Sequence, residues 1–240
     1  MIFQSSFLPT GFKSTIRLFI IHFKVHIVVP GAGAGRLPYE ILQLNSNVRV
    51  TSNEEDINLY FANNYILDES THKNANVIYP NIHDLVSRLS CTDATKTVSF
   101  PDVDTGDNKS LEGRINTYPE NFNQICEEQL EAESVDCVVT WFFLETAKNA
   151  IEYIEQIEKI LKPDGFWINM GGLQYMYEPY ESVSSIEMAY KDLKGAIVDA
   201  GLIIEKETFL ENYEYFIEDS DVKRIYKCPY FTCIKGGIKC

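Results

Sequence analysis

Apolar and polar positions near the start of the chain follow the order strand, loop, helix. Val25 to Val29 is a run of mostly β-branched residues, which is typical of a buried strand. Apolar residues then recur at helical spacing from Leu37 to Leu44. Between the two segments lie three glycines at alternate positions: Gly31, Gly33 and Gly35. A glycine loop in this place lets a ligand approach the backbone, and the helix N-terminus favours polar or anionic groups.

A second strand and an acidic residue extend this Rossmann-like pattern. Val48 to Thr51 has the composition of a strand, and Asn58 to Leu67 that of a helix. Glu54 lies about 20 positions beyond Gly33, where such folds place a carboxylate that binds ribose hydroxyls. The glycines and Glu54 are therefore candidate residues for binding a cofactor.

The second half of the chain continues the alternation of strands and helices. Val135 to Leu144 is continuously apolar, as expected of a strand in the middle of a parallel sheet that is covered on both faces. The remaining predicted elements are helices over Thr146–Leu161 and Ser184–Ala200, and strands over Phe166–Met170, Leu202–Thr208 and Tyr226–Ile234. The last two strands predict an antiparallel hairpin, and residues 68–110 are predicted to be loops. The pattern indicates an α/β fold with a mostly parallel sheet and a C-terminal antiparallel hairpin.

Composition narrows the functional classes. The 240 residues are enough for one domain. The net charge of −14 argues against nucleic-acid and membrane-surface partners, because phosphate groups would repel the chain. None of the six cysteines forms a CxxC pair, which predicts reduced thiols and no metal site of that type.

Two enzyme classes share the glycine-loop opening: nicotinamide-dependent oxidoreductases and S-adenosylmethionine (SAM)-dependent methyltransferases. Tyr190 and Lys194 form a YxxxK pair of the short-chain dehydrogenase type, but the glycine spacing differs and the preceding strand lacks a catalytic serine. The segment Leu161 to Gly165, between a helix and a buried strand, resembles a loop of class I methyltransferases, which favours the second class.

A calcium site is a further possibility to consider, since Asp102, Asp104 and Asp107 form an acidic cluster. The cluster lacks the residue order of an EF-hand calcium loop, so the sequence does not favour such a site.

Nine segments together resemble the carnosine N-methyltransferase family, from about residue 25 to the C-terminus. They are Val28–Leu37, Ser52–Glu54, Ala62–Leu67, Tyr79–His83, Phe100–Asp104, Val138–Asn149, Trp167–Gly171, Ser185–Glu187 and Tyr226–Cys228. The segment around Phe100 is not generic to methyltransferases, so it makes the resemblance specific. The resemblance implies a divergent lead-in over residues 1–24 and a methyltransferase domain with the class I, Rossmann-like fold over residues 25–240.

The resemblance also implies an activity. It is the transfer of a methyl group from SAM, without a metal, to an imidazole nitrogen of a histidine-containing dipeptide, for example carnosine to anserine. The alternatives are a SAM-binding pseudoenzyme or interaction module with a degenerate substrate site and, more remotely, an NAD-dependent oxidoreductase. We expect a small-molecule substrate, no nucleic-acid or membrane partner, and a cytoplasmic location with the nucleus as the alternative. A homodimer is compatible with the sequence.

Site residues follow from the resemblance position by position. Glu145 and Tyr226 are expected to be catalytic, and the substrate-binding residues are expected to be Glu145, Met176, Tyr213 and Tyr226. The expected cofactor-binding residues are Gly31, Gly33, Gly35, Glu54, Arg114, Ile115 and Trp141. The sequence departs from the family where Glu145 replaces an aspartate, where Met176 replaces a histidine, and where Gly113-Arg114-Ile115 stands in place of Gly-Asp-Phe. The segment before the glycine loop is also shorter than in the family.

Overall fold

A seven-stranded sheet forms the centre of the molecule in a computed structural model, which describes residues 14–17, 24–68, 71–83, 90–105, 111, 113–177, 183–215 and 224–237. The strand order is β5-β2-β1-β6-β7-β9-β8. These strands are β1 (Val25–Val29), β2 (Val48–Asn53), β5 (Ile115–Tyr118), β6 (Val135–Trp141), β7 (Leu161–Met170), β8 (Leu202–Tyr215) and β9 (Arg224–Lys235). The first five in spatial order are parallel, and β9 runs antiparallel to both β7 and β8. This arrangement confirms the predicted fold class.

Helices cover both faces of the sheet. They are α1 (Arg36–Leu42), α2 (Ile57–Leu67), α3 (Cys91–Ala94), α4 (Phe122–Glu128), α5 (Ala150–Ile160) and α6 (Tyr190–Asp199). Helix α1 packs its apolar side chains into a core on one face, and α4, α5 and α6 pack into a second core on the other face. Among the described residues, no helix has the length and apolar character needed to cross a membrane.

Several element boundaries differ from the prediction for local reasons. Helix α5 begins at Ala150 and not at Thr146, because Leu144 to Thr146 forms a separate 3-10 turn and the Asn149 side chain caps the helix at the Ile151 N–H. The hairpin strands β8 and β9 extend beyond the predicted segments. Residues 68–110 contain a small antiparallel sheet of β3 (Asn76–Ile78) and β4 (Val98–Phe100).

The described part of the predicted lead-in packs against the domain. Ile16 is 1% exposed and lies in the same core as β1 and α1. The Tyr230 hydroxyl of β9 donates a hydrogen bond of 2.8 Å to the Thr15 hydroxyl oxygen. The core on this face of the sheet thus includes Ile16, which lies before residue 25. The predicted boundary at residue 25 stays a prediction.

Candidate active site

The chain order reverses between β1 and β6, which lie side by side in the middle of the sheet. Strand β1 leads outward to β2 and β5 on one side, and β6 leads to β7 on the other. In open α/β sheets, ligands bind beyond the carboxyl ends of the strands at such a reversal. The residues that follow β1, β2, β5, β6 and β7 therefore define the candidate site.

The glycine loop follows β1 and turns through left-handed backbone conformations. Gly31 has a φ of 61° and Gly33 a φ of 55°. A Cβ at Gly31 would lie 2.8 Å from Cδ2 of Phe143, so a side chain there would collide with that ring. A Cβ at Gly33 would meet nothing within 4 Å among the described residues, so a ligand can approach the loop from this side.

The loop is held by a polar side chain that directly follows β2 and by another from α2. Glu54, which is 8% exposed, accepts a hydrogen bond of 2.7 Å from the Gly33 N–H and one of 3.0 Å from the Asp56 N–H. The buried Asn63 side chain donates to the Gly33 carbonyl oxygen at 3.1 Å. Each carboxylate oxygen can accept a further hydrogen bond, so Glu54 keeps acceptor capacity for a ligand.

Arg114 and Ile115, which the resemblance places beside the cofactor, are not brought to this edge of the sheet by the fold. The Arg114 guanidinium donates to the carbonyl oxygens of Leu42, Asn45 and Val48, at the amino end of β2. Ile115 starts β5 and pairs with Val50 in the interior of β2. Because β5 is parallel to β2, the first residues of β5 lie toward the amino ends of the strands, whereas the glycine loop lies at their carboxyl ends.

The carboxyl end of β5 instead brings Glu120 beside β2. Its backbone carbonyl accepts a hydrogen bond of 3.0 Å from the Asn53 side chain, which directly precedes Glu54. The Glu120 Oε2 atom is buried and has no hydrogen-bond partner among the described residues. An acceptor without a donor in this position fits a ligand N–H or O–H. No strand or helix is predicted around Glu120 from the sequence, so the only local signal for it is its neighbour Asn121, a residue type that caps helices, as it does for α4.

Glu145 lies in the 3-10 turn after β6 and is 9% exposed. Its Oε1 atom accepts a hydrogen bond of 3.3 Å from the Gly172 N–H, whereas its Oε2 atom is buried without a partner among the described residues. Burial raises the pKa of this carboxyl from 4.5 to about 7, against a smaller lowering by hydrogen bonds from backbone N–H groups. The loop after β7 can approach so closely because position 171 is glycine, where a Cβ would lie 3.1 Å from Oε2.

Aromatic rings from β8, from β9 and from the carboxyl end of β6 with the residue after it form a cluster at the same edge. Phe142, which has a φ of 48°, places its ring 5.5 Å from that of Tyr213 and 5.8 Å from that of Tyr226. Trp141 packs edge-on to Tyr213 at 6.1 Å. The Tyr226 hydroxyl donates to the Gln174 side chain at 2.8 Å. We call Trp141, Phe142, Tyr213 and Tyr226 the aromatic cluster; it places Trp141 among the residues expected to bind substrate.

Met176 is joined to the site through its backbone. Its N–H donates to the Glu145 carbonyl oxygen at 2.8 Å, while its side chain is 48% exposed. The residue therefore lies beside Glu145. A thioether is at most a weak acceptor, so this side chain adds apolar surface to the site's rim.

Phe143 connects the glycine loop to the turn that carries Glu145. Its ring lies against Gly31, stacks on Tyr153 at 4.9 Å and meets Phe122 edge-on at 5.4 Å. Phe143 directly precedes the 3-10 turn, so its packed ring holds the glycine loop and the Glu145 turn in a fixed relation.

Among the described residues, no group of three or more His, Cys, Asp or Glu side chains could hold a metal ion. Asp107, a member of the acidic cluster noted in the sequence, lies outside the described residues.

Comparisons with known proteins give a consistent result. The family model described as carnosine N-methyltransferase matches residues 15–236. The chain is 36% identical to carnosine N-methyltransferase of Mus musculus over 88% of this chain and 52% of the relative. It is 31% identical to carnosine N-methyltransferase unmet of Drosophila melanogaster, over 95% of this chain and 51% of the relative. The chain thus spans about half the length of these relatives.

Solved structures share the fold at low sequence identity. A SAM-dependent methyltransferase from Aquifex aeolicus matches with a TM-score of 0.55 and 10% identity, over 93% of this chain and 88% of that one. The [4+2]-cyclase SpnF matches with a TM-score of 0.57 and 10% identity, over 94% and 82% of the two chains. At this level of identity the likenesses concern the architecture alone. SpnF is described as a cyclase and not as a methyltransferase, so the same architecture is found with more than one reaction.

Proposed function

The chain belongs to the carnosine N-methyltransferase family, and we propose that it transfers a methyl group from SAM to an imidazole nitrogen of a histidine-containing dipeptide such as carnosine. The observation that carries the proposal is the buried Glu145 carboxylate, whose Oε2 atom has no partner among the described residues and which lies beside the glycine loop's anchor Phe143. An imidazole N–H is a donor of the kind such an oxygen needs.

The residues at the carboxyl ends of β1, β2 and β5 fit SAM. The open side of Gly33 admits the cofactor close to the backbone, and Glu54 retains lone pairs for ribose hydroxyls. The unpartnered Oε2 atom of Glu120 suits an amino-group donor on the cofactor's base. When bound, SAM supplies an electrophilic methyl group on a sulfonium. The protein's task is to align a nucleophile with that group and to keep the nucleophile's lone pair free.

Glu145 is proposed to orient the substrate ring. An imidazole with a pKa of about 6.5 is largely neutral at pH 7, so one ring nitrogen has a free lone pair without the help of a strong base. Glu145 Oε2 accepts the N–H of the other nitrogen and thereby turns the free lone pair toward the methyl group. The new N–C bond forms as the S–C bond breaks and its electron pair returns to sulfur. The carboxylate then stabilises the imidazolium.

The raised pKa of Glu145 suits the last proton transfer. The methylated ring must lose its N–H proton, and the Glu145 carboxylate is the group that accepts it. A pKa of about 7 suits this step, because a proton acceptor works best when its pKa lies near the working pH. The aromatic cluster offers ring faces that favour the cationic ring over the neutral one. The hydrogen bond to Gln174 fixes the hydroxyl of Tyr226, which fixes the direction of that ring.

The proposal is tested by incubating the purified chain with methyl-labelled SAM and carnosine, homocarnosine or histidine. We expect label on the imidazole ring of a dipeptide, identified by mass spectrometry. Glu145→Gln keeps the side chain's size but removes the charge, and it should lower kcat by about 100-fold, as loss of a proton-accepting group does. SAM binding without label transfer to any of the three compounds would contradict the proposal, as would full activity of Glu145→Gln.

A further inference from the structure

The segment from Val98 to Thr105 lies against the glycine loop and is tied to it by an ion pair. Arg36 follows Gly35 directly and is the first residue of α1. Its Nη1 atom donates to both carboxylate oxygens of Asp102, at 2.7 and 2.6 Å. The Arg36 side chain is 10% exposed and that of Asp102 is 43% exposed. The pair therefore has one partner inside the fold, unlike a pair that lies wholly on the surface.

The rest of the Arg36 guanidinium is also occupied. Its Nε and Nη2 atoms donate to Glu40 Oε1, one turn further along α1, at 2.9 and 2.8 Å. Two carboxylates on opposite sides thus fix the direction of the planar group. The guanidinium of Arg36 is therefore directed at Asp102 and Glu40, and it is not oriented toward a ligand.

The same segment is anchored at its other end to α2. Thr105 is fully buried, and its Oγ1 atom lies 2.8 Å from both the Ile66 and the Thr71 carbonyl oxygens. Helix α2 in turn holds the loop through the Asn63 bond to Gly33. The polar contacts therefore form a closed ring that runs from the glycine loop through Asp102 and Thr105 to α2 and back to the loop.

We infer that Arg36 and Asp102 are positioning residues, through which the segment 98–105 holds the glycine loop in the conformation that binds the cofactor. The two residues are 66 positions apart, so the contact closes a long loop of chain onto the site. Without it, the junction between Gly35 and α1 loses its ion pair with this segment and gains freedom that ligand binding must then remove. The inference rests on the proposed function only for the identity of the ligand, SAM.

The test compares Asp102→Asn with Asp104→Asn. Asp104 lies on the same segment, and its Oδ1 atom is 3.4 Å from Nδ1 of the exposed His72, so its substitution removes an equal charge but leaves the Arg36 contact. We expect Asp102→Asn to weaken SAM binding, measured by calorimetry, roughly tenfold, as expected for loss of one charged hydrogen bond. The kcat at saturating SAM should change less than about twofold, since no reacting atom is touched. Asp104→Asn should leave both quantities near those of the wild type.

Hydrogen exchange without any ligand gives an independent measurement. Backbone amides of residues 31–37 should exchange faster in Asp102→Asn than in the wild type or in Asp104→Asn, because local opening of the loop becomes easier. The double variant Arg36→Gln with Asp102→Asn should be no worse than Arg36→Gln alone, since both act through one contact. If Asp102→Asn does not fold, Arg36→Lys, which keeps the charge but loses the fixed fork, takes its place in both measurements.

The outcomes separate the two proposals. Unchanged SAM affinity and unchanged exchange in Asp102→Asn would overturn the positioning role while leaving the proposed function intact. A wild-type chain that binds no SAM would overturn the proposed function, and the exchange comparison would still decide whether Asp102 holds the loop. A large fall in kcat at saturation with unchanged SAM affinity would also contradict the inference, because it would place Asp102 in the chemical step.

Discussion

Glu145 illustrates how one buried side chain combines a cost in stability with a proposed role in chemistry. Burial raises its pKa to about 7, which means that the folded protein takes up a proton at a pH where the unfolded chain has already lost it. The carboxylate form is thus the unfavourable one in the native state. An incoming imidazole N–H would supply the hydrogen bond that Oε2 lacks.

We predict a pH-dependent stability difference between the wild type and Glu145→Gln. The folded pKa lies above the ordinary value of 4.5, so the wild type loses stability as the pH rises from about 4.5 to about 7 and not above that range. The amide cannot ionise, so its variant lacks this loss. The free energy of unfolding of Glu145→Gln relative to the wild type should therefore rise by up to roughly 3 kcal/mol across the interval. Denaturant titrations at several pH values measure it, and parallel curves for the two proteins would refute the assignment.

Among the elements of the fold, the glycine loop and the turn after β6 are packed closely against each other. Gly31 lies under the Phe143 ring, and that ring is itself packed between Tyr153 and Phe122. A side chain at position 31 must therefore move either the loop or the turn that carries Glu145. This packing explains how a loop after one strand and a turn after the next keep a fixed relation.

We predict that Gly31→Ala is destabilised more than Gly113→Ala. Both positions have similar positive φ values, 61° and 66°, so the backbone strain is matched. Only position 31 adds a Cβ at 2.8 Å from Phe143, and such overpacking costs about 1–3 kcal/mol beyond the strain. Unfolding in urea measures both variants. Adding Phe143→Leu should recover part of the loss in Gly31→Ala, and equal destabilisation at the two glycines would show that the ring yields without cost.

On the scale of the whole molecule, the two larger cores of the described residues lie on the two faces of the sheet, and one of them includes Ile16. That residue lies in the short described segment 14–17, ahead of the first strand. Ile16 is buried in the same core as Val25 and Leu42, so we expect this segment to unfold with the domain and not before it. The hydrogen bond between Thr15 and Tyr230 supports the same view.

We predict that Ile16→Ala lowers the free energy of unfolding by about 2–4 kcal/mol, the usual cost of removing a buried isoleucine side chain. Ile225→Ala is the matched control, because Ile225 is 57% exposed; its effect should stay within about 0.5 kcal/mol. The cooperative transition should stay single in both proteins. An Ile16→Ala variant as stable as the control would show that segment 14–17 contributes little to the cooperative unit.

Much of the architecture was determined by the sequence alone. Buried parallel strands are encoded locally as apolar runs, such as Val135 to Leu144, and the glycine loop is recognised by its place between a strand and a helix. Short motifs also carried the family resemblance, which the comparisons with carnosine N-methyltransferases confirm. These features can be predicted from the sequence because each depends on neighbours within a few residues.

Only the tertiary structure decided which side chains meet at the site. Arg114 was expected beside the cofactor, but the parallel register of β5 sends it to the amino end of the sheet and brings Glu120 to the carboxyl end. The burial of Glu145 depends on Gly171 and Gly172 of another strand's loop, and Asp102 meets Arg36 across a long stretch of chain. Such contacts depend on register and on long-range packing. No local pattern encodes either of these, because the same side chain can point to either end of a sheet according to where its strand begins.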